Sequence, residues 1–468
     1  FKLDFSYNYP FTGTIPIIKG NWIHIRIEFH SLFPVTFDYE LGSGDETRTI
    51  EYKCEPRHLT NRFNNFQTGI NLDELKNQVE SLARMKLNEI IPEILPYSQE
   101  SAPVIRNSKG KARLTTDVYL GYAGYAYFFW KLANHKEYKF TEKRKYFLEH
   151  ALQLILLCNR CNSKESSSFT FLTGIGGILA MQAVITSDNN MIDECSTAID
   201  SLLSISDYFI IKEMFENELF YGFSGYMQAI LFVIAHVPKE YYNLEKCISV
   251  LHKCFKILHE GDEYIIKFSF RNAEQLGAAH GLAGILFIML HIPELALKEE
   301  YSTKILNSIH FLIKYKGMDG SFPSGIARSS SSCYWCHGSP GVIPTLLKAY
   351  EVFKDEKYLT LAKEATDEVW NHGLSKKGFN LCHGIFGNVY PFLQLYSITK
   401  DEQYLYRAYQ FTLIYQDNRA QVNLAGHKDV TRLCIGTPDH KLSLMEGITG
   451  QGCFFVDMLS PDTASFPG

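Results

Sequence analysis

The chain has 468 residues, of which 46% are hydrophobic and 21% charged, with a formal net charge of −5. That balance suits packed globular domains, about three by length alone, and excludes a disordered, collagen-like or coiled-coil chain. It also leaves no basic surplus to neutralise phosphates, so nucleic acid is not an expected partner.

Residues 1–56 stand apart as an N-terminal extension. Within it, residues 21–28 and 35–39 are strand-like, and residues 41–49 are polar. The first residues, Phe1-Lys2-Leu3, do not begin a charged run, apolar run and cleavage site in succession. Residues 71–93 read as a lead-in helix and residues 98–111 as a polar linker. From there a repeat takes over, and the domain expected to hold it is 57–468. A Gly-x-x-Gly step recurs at Gly121/Gly124, Gly174/Gly177, Gly222/Gly225, Gly281/Gly284, Gly338/Gly341, Gly384/Gly387 and Gly447/Gly450, with gaps of 53, 48, 59, 57, 46 and 63 residues. One such step means nothing; seven at near-regular spacing mean one supersecondary unit copied around a structure.

An uncharged apolar run follows each step, as in Ile285-Leu286-Phe287-Ile288-Met289-Leu290. Amphipathic stretches lie between the steps. Leu244, Cys247, Ile248, Leu251, Cys254, Phe255 and Leu258 fall at helical spacing, with Lys246, Lys253 and Lys256 on the other face. Each unit therefore reads as an apolar inner helix and a half-polar outer helix. Seven such hairpins predict an all-α fold, a closed α/α toroid whose inner helices start at one mouth. Glycine there lets backbones crowd together, and converging helix N-termini favour an anion. The rival is a seven-helix membrane protein. Its best span, residues 219–237, lacks charge but holds Ser224, Gln228, His236 and two glycines, and a span needs about 20 predominantly apolar residues.

The residue before each first glycine is Leu120, Thr173, Tyr221, His280, His337, His383 or Glu446. One position earlier stand Tyr119, Leu172, Phe220, Ala279, Cys336, Cys382 and Met445. The first three repeats read as bland there and the last four as polar. Equivalent positions face one mouth, so Cys336 and Cys382 from neighbouring repeats, with His383, should form a cluster. Two thiolates and an imidazole suit Zn²⁺, and three protein ligands leave a tetrahedral place open. Zinc there would hold a substrate thiol as thiolate. Cys158, Cys161, Cys195, Cys247, Cys254 and Cys453 read instead as small buried hydrophobes. Eleven scattered cysteines do not form a secreted disulfide framework. They fit a reducing compartment, so a cytoplasmic location is expected.

These motifs resemble the eukaryotic branch of the lanthionine synthetase C-like family. The residues that carry the resemblance are Gly277-Ala278-Ala279-His280-Gly281-Leu282-Ala283-Gly284, Trp335-Cys336-His337-Gly338-Ser339-Pro340-Gly341, Lys376-Lys377-Gly378-Phe379-Asn380-Leu381-Cys382-His383-Gly384 and Ser443-Leu444-Met445-Glu446-Gly447. The resemblance spans residues 57–467. It implies zinc on Cys336, Cys382 and His383, and addition of a thiol to dehydroalanine or dehydrobutyrine. In the eukaryotic branch the thiol is glutathione and the acceptors are peptides or proteins. The resemblance also implies that Lys377 and Arg57 contact glutathione, whose two carboxylates call for cations. Addition builds an enolate that must be protonated. His280 is the candidate proton donor, with His337 as a second candidate or an orienting group.

The chain departs from the family pattern twice. Gly436 stands before Thr437-Pro438-Asp439 where relatives carry Arg, leaving Arg432 as a substitute, and Gly222 stands where bacterial cyclases place a catalytic Asp. The alternative function is a non-catalytic zinc- and glutathione-binding adaptor, peripheral to membranes such as the plasma membrane. A toroidal glycosidase fits less well, because Glu446 reads as the lone mouth carboxylate.

Overall fold

The computed structural model of the chain describes strands at 11–13, 23–28, 36–41 and 50–52, residue 58, and residues 61–67, 69–99, 115–161, 168–208, 216–261, 264–327, 332–416 and 440–467. The chain divides into two units, Phe1–Arg57 with Arg328–Ser330, and His58–Ala327 with Ser331–Gly468. The first unit carries two antiparallel ribbons. In one, β1 (Phe11–Gly13) pairs with β4 (Ile50–Tyr52); in the other, β2 (Ile23–Glu28) pairs with β3 (Thr36–Leu41), Ile23 opposite Leu41. Ile23, Ile25 and Ile27 alternate with His24, Arg26 and Glu28, the period-two pattern that favours a strand.

The second unit is an all-α toroid. Among the described residues its inner helices are α2 (Tyr122–Asn134), α4 (Ile175–Asp188), α6 (Phe223–His236), α8 (Leu282–Leu290), α11 (Ser339–Phe353), α13 (Ile385–Thr399) and α15 (Ile448–Met458). The outer helices are α1 (Leu72–Ile94), α3 (Glu142–Cys161), α5 (Ile192–Ser204), α7 (Leu244–His259), α10 (Glu299–Ile313), α12 (Glu356–His372) and α14 (Glu402–Leu413), with the short α9 (Pro293–Ala296) between α8 and α10. Six hairpins are consecutive in sequence. The seventh is not: α15 lies near the end of the chain and takes α1 as its outer partner. Gly452 of α15 packs on Ile90 of α1 and Phe128 of α2. The lead-in helix is therefore the outer helix that closes the circle.

The two rings start differently. Asn71, Asn243, Asp355 and Asp401 cap outer helices, each side chain accepting a first-turn N–H. Inner helices start on the first glycine of each step, with no side-chain cap. At the second glycine a Cβ would overlap the carbonyl six residues upstream. At Gly341 it would also come within 2.8 Å of Ala278 Cβ in the preceding repeat. Each step is thus a hairpin folded onto itself and onto its neighbour. Backbone bonds then link the residues two places before each first glycine. Ala279 N donates to Cys336 O (3.2 Å), Cys336 N to Cys382 O (3.1 Å), Cys382 N to Met445 O (2.9 Å), Met445 N to Tyr119 O (3.2 Å) and Tyr119 N to Leu172 O (2.8 Å). Thr170 Oγ1 carries the ring onward to Phe220 O at 2.6 Å. No described helix is long and apolar enough to cross a membrane.

Candidate metal centre

The backbone ring sets Cys336 and Cys382 on adjacent repeats with their peptide groups in hydrogen-bond contact. Their sulfurs and one imidazole nitrogen of His383 all lie within 4.8 Å of one another, and among the described residues this is the one such group. Both cysteines are buried. Gly338, straight after Cys336-His337, has φ 116°, a conformation that disfavours any side chain and turns the chain abruptly into α11. Gly277 lets the neighbouring strand pass close by, since a Cβ there would lie 2.9 Å from His337 Cα. His383 is held by two bonds: its N–H donates to Asn380 Oδ1 (2.9 Å) and its carbonyl accepts from Ser375 Oγ (2.9 Å).

A zinc ion suits these donors. Two sulfurs bound tetrahedrally at about 2.3 Å would be about 3.8 Å apart, within the spacing found. The hydrogen bond to Cys336, with burial and the nearby Cys336 charge, pushes the Cys382 thiol well up, and His383 only partly opposes this. A divalent cation would favour the ionised form of Cys382 against that push.

His280, the expected proton donor, is tied to the Cys336 repeat, where Ala279 N–H donates to Cys336 O. Its Nδ1 is 2.7 Å from Glu218 Oε2, and Glu218 is 1% exposed. Glu218 is fixed in turn by Phe220 N–H (3.0 Å) and Tyr221 N–H (2.6 Å). A carboxylate at Nδ1 places the proton on that nitrogen and turns Nε2 to other work. Phe270 stacks on the imidazole with ring centroids 4.4 Å apart. His337 is 6.1 Å away, ring to ring. Glu218 was not foreseen, and it corrects the reading of Glu446 as the lone mouth carboxylate: four residues before Gly222, the chain carries an acid bonded to His280.

Tyr119 corrects a second expectation. Its position reads as bland in the first repeats, yet its hydroxyl donates to Glu446 Oε1 at 3.0 Å and is in hydrogen-bond contact with Cys382. Burial, then Cys382 and Glu446, push this phenol well above its ordinary value. Lys377 Nζ sits 5.0 Å over the Tyr334 ring, and that ring meets His383 edge-on at 6.4 Å. Lys377 is thus brought to the cluster. Arg57, Arg432 and Gly436 lie outside the described residues.

An α/α toroid with two thiols and an imidazole gathered within 4.8 Å, and a carboxylate-bonded histidine on the preceding repeat, defines a class: α/α toroids whose inner ring carries a Cys-Cys-His cluster. Residues 113–468 match the family described as lanthionine synthetase C-like protein, and the chain belongs to that family. It is 31% identical over 331 residues to the protein named glutathione S-transferase LANCL1 from Danio rerio, covering 69% of this chain and 78% of the relative. Nisin cyclase shares the fold, with a TM-score of 0.55 at 15% identity, covering 84% of this chain and 96% of the cyclase chain.

Proposed function

We propose that this protein joins glutathione to dehydroalanine and dehydrobutyrine residues of peptides or proteins. The observation that carries this reading is the Cys336/Cys382/His383 cluster beside the Glu218–His280 pair. The name of the Danio rerio relative supports glutathione as the thiol. Zinc held by the three ligands would keep a substrate thiol ionised near neutral pH. Lys377 receives a glutathione carboxylate. The thiolate forms a C–S bond to Cβ of the acceptor, and the double-bond electron pair shifts onto Cα and the carbonyl. His280 Nε2 takes up the proton that the thiol gives up on ionising and delivers it to Cα, while Glu218, bonded at Nδ1, holds the ring in place and offsets the charge of the imidazolium. His337 borders the same space and orients the acceptor. A reducing, cytoplasmic setting is part of this reading.

Metal analysis of wild type and Cys382→Ala, followed by mass spectrometry of a dehydroalanine peptide incubated with glutathione, tests this. Wild type should carry about one zinc per chain and form the adduct, and the variant should do neither. Zinc and glutathione binding without adduct on any dehydroamino-acid peptide would favour the non-catalytic adaptor.

A further inference from the structure

We propose that residues 58–67 form a clasp that, through Ser375, positions Lys377 and the metal ligand His383. Residues 61–67 have no regular secondary structure, so side chains fix them. Asn61 Nδ2 donates to the Trp370 carbonyl (2.6 Å), Trp370 Nε1 donates to Asn65 Oδ1 (3.0 Å), and the Tyr406 hydroxyl donates to the Asn64 carbonyl (2.9 Å). Phe63 stacks on Trp370 at 6.0 Å and Phe66 meets Tyr406 at 5.6 Å. The segment is thereby laid over α12 and α14. At its start His58 forms an antiparallel bridge to Ser375, and its ring lies 4.6 Å from that of His372.

Ser375 is the node. It is wholly buried. Its hydroxyl donates to the His383 carbonyl at 2.9 Å and accepts from the Lys377 N–H at 3.0 Å. The single hydroxyl proton is thus committed to His383, while a lone pair serves Lys377. Asn380 repeats the link, donating to the Lys377 carbonyl (2.9 Å) and accepting from the His383 N–H (2.9 Å). Asn388 Nδ2 anchors the far side, donating to Gly373 O and Cys333 O at 2.8 Å each. The loop joining α12 to α13 is therefore tied down by buried polar side chains, and a shift of Ser375 breaks its bonds to both Lys377 and His383. None of the seven hairpins contains the clasp, yet it reaches the thiol site through one residue.

The proposal rests on the reading of Lys377 as a carboxylate contact. The test uses the full chain loaded with zinc, and two thiols: glutathione, and 2-mercaptoethanol, which has no carboxylate. Asn61→Ala combined with Phe63→Ala should raise the glutathione Kd about 5- to 30-fold, leave the 2-mercaptoethanol Kd unchanged, and speed amide exchange over 375–383. Ser375→Ala should do the same and also lose zinc faster to a chelator. A folded double variant with wild-type exchange and wild-type glutathione Kd would overturn the proposal. So would equal weakening of both thiols, which leaves Lys377 no share in the effect. If the variants do not fold, wild-type exchange decides: 58–67 and 375–383 should open together, and independent opening refutes the clasp. Failure of wild type to bind either thiol would sink the proposed function instead, while the exchange result still judges the coupling.

Discussion

Helices α2, α4 and α6 approach the mouth on the same glycine steps as α8, α11, α13 and α15. Their mouth residues differ: Leu120, Thr173 and Tyr221 on the first arc, and His280, His337, His383 and Glu446 on the second. The toroid constrains the glycines and the peptide groups and leaves the side chains just before each first glycine open. Metal ligands could therefore collect on one arc without disturbing closure. The quiet arc still contributes, since Glu218 reaches across to His280 and Tyr119 to Glu446 and Cys382. One arc carries the donors, and its neighbour orients them.

That contrast can be broken by substitution, starting with the largest effect. His280→Ala should lower adduct formation about 10²- to 10⁴-fold while zinc content and glutathione Kd stay near wild type; steady-state kinetics with metal analysis checks this. Glu218→Gln, on the quiet arc, should cost about 10- to 100-fold in kcat without changing zinc content. An unchanged kcat would deny that arc any share in the chemistry. Gly341→Ala probes what both arcs share. Its Cβ meets Ala278 Cβ at 2.8 Å, so overpacking should cost about 1–3 kcal/mol, read as a lower Tm.

The clasp adds a pH dependence. Burial, then His372 and more weakly Lys376, hold the docked His58 below its ordinary value, against the pull of Glu368. A detached His58 takes up a proton near pH 6.5, so docking is fully favoured above that pH and weakens as pH falls through the depressed value. His372 has the opposite sign: its bond to Glu368, aided by Asp319, raises it, and that contribution is lost as pH rises. Its positive charge, gained as pH falls, repels a protonated His58 beside it and adds to the weakening. Exchange over 58–67 should therefore be faster at pH 5.5 than at pH 7.5. The smallest effect belongs to Thr173→Val, which removes a hydroxyl bonded to the Phe220 carbonyl and should leave zinc content and kcat unchanged.

Seven glycine steps made the inner ring and its common mouth legible, and the register before each step brought Cys336, Cys382 and His383 together. The outer role of α1 was not legible, because its partner α15 lies at the other end of the chain and no local pattern joins them. Glu218 and Tyr119 escaped for a related reason. Each acts on a neighbouring repeat: Glu218 sits outside the register that was aligned, and Tyr119 occupies a position that its equivalents Leu172 and Phe220 fill with apolar side chains. Ser375 gave no signal either, since a serine in a loop acquires meaning only from what its hydroxyl meets.

The most direct test is X-ray absorption at the zinc edge of the loaded protein, with zinc stoichiometry measured on the same sample. One ion per chain should show two sulfurs at about 2.3 Å and nitrogen at about 2.0–2.1 Å, with a third sulfur appearing when glutathione is added. A zinc shell without sulfur, or a purified protein that retains no zinc under any loading condition, would contradict the account.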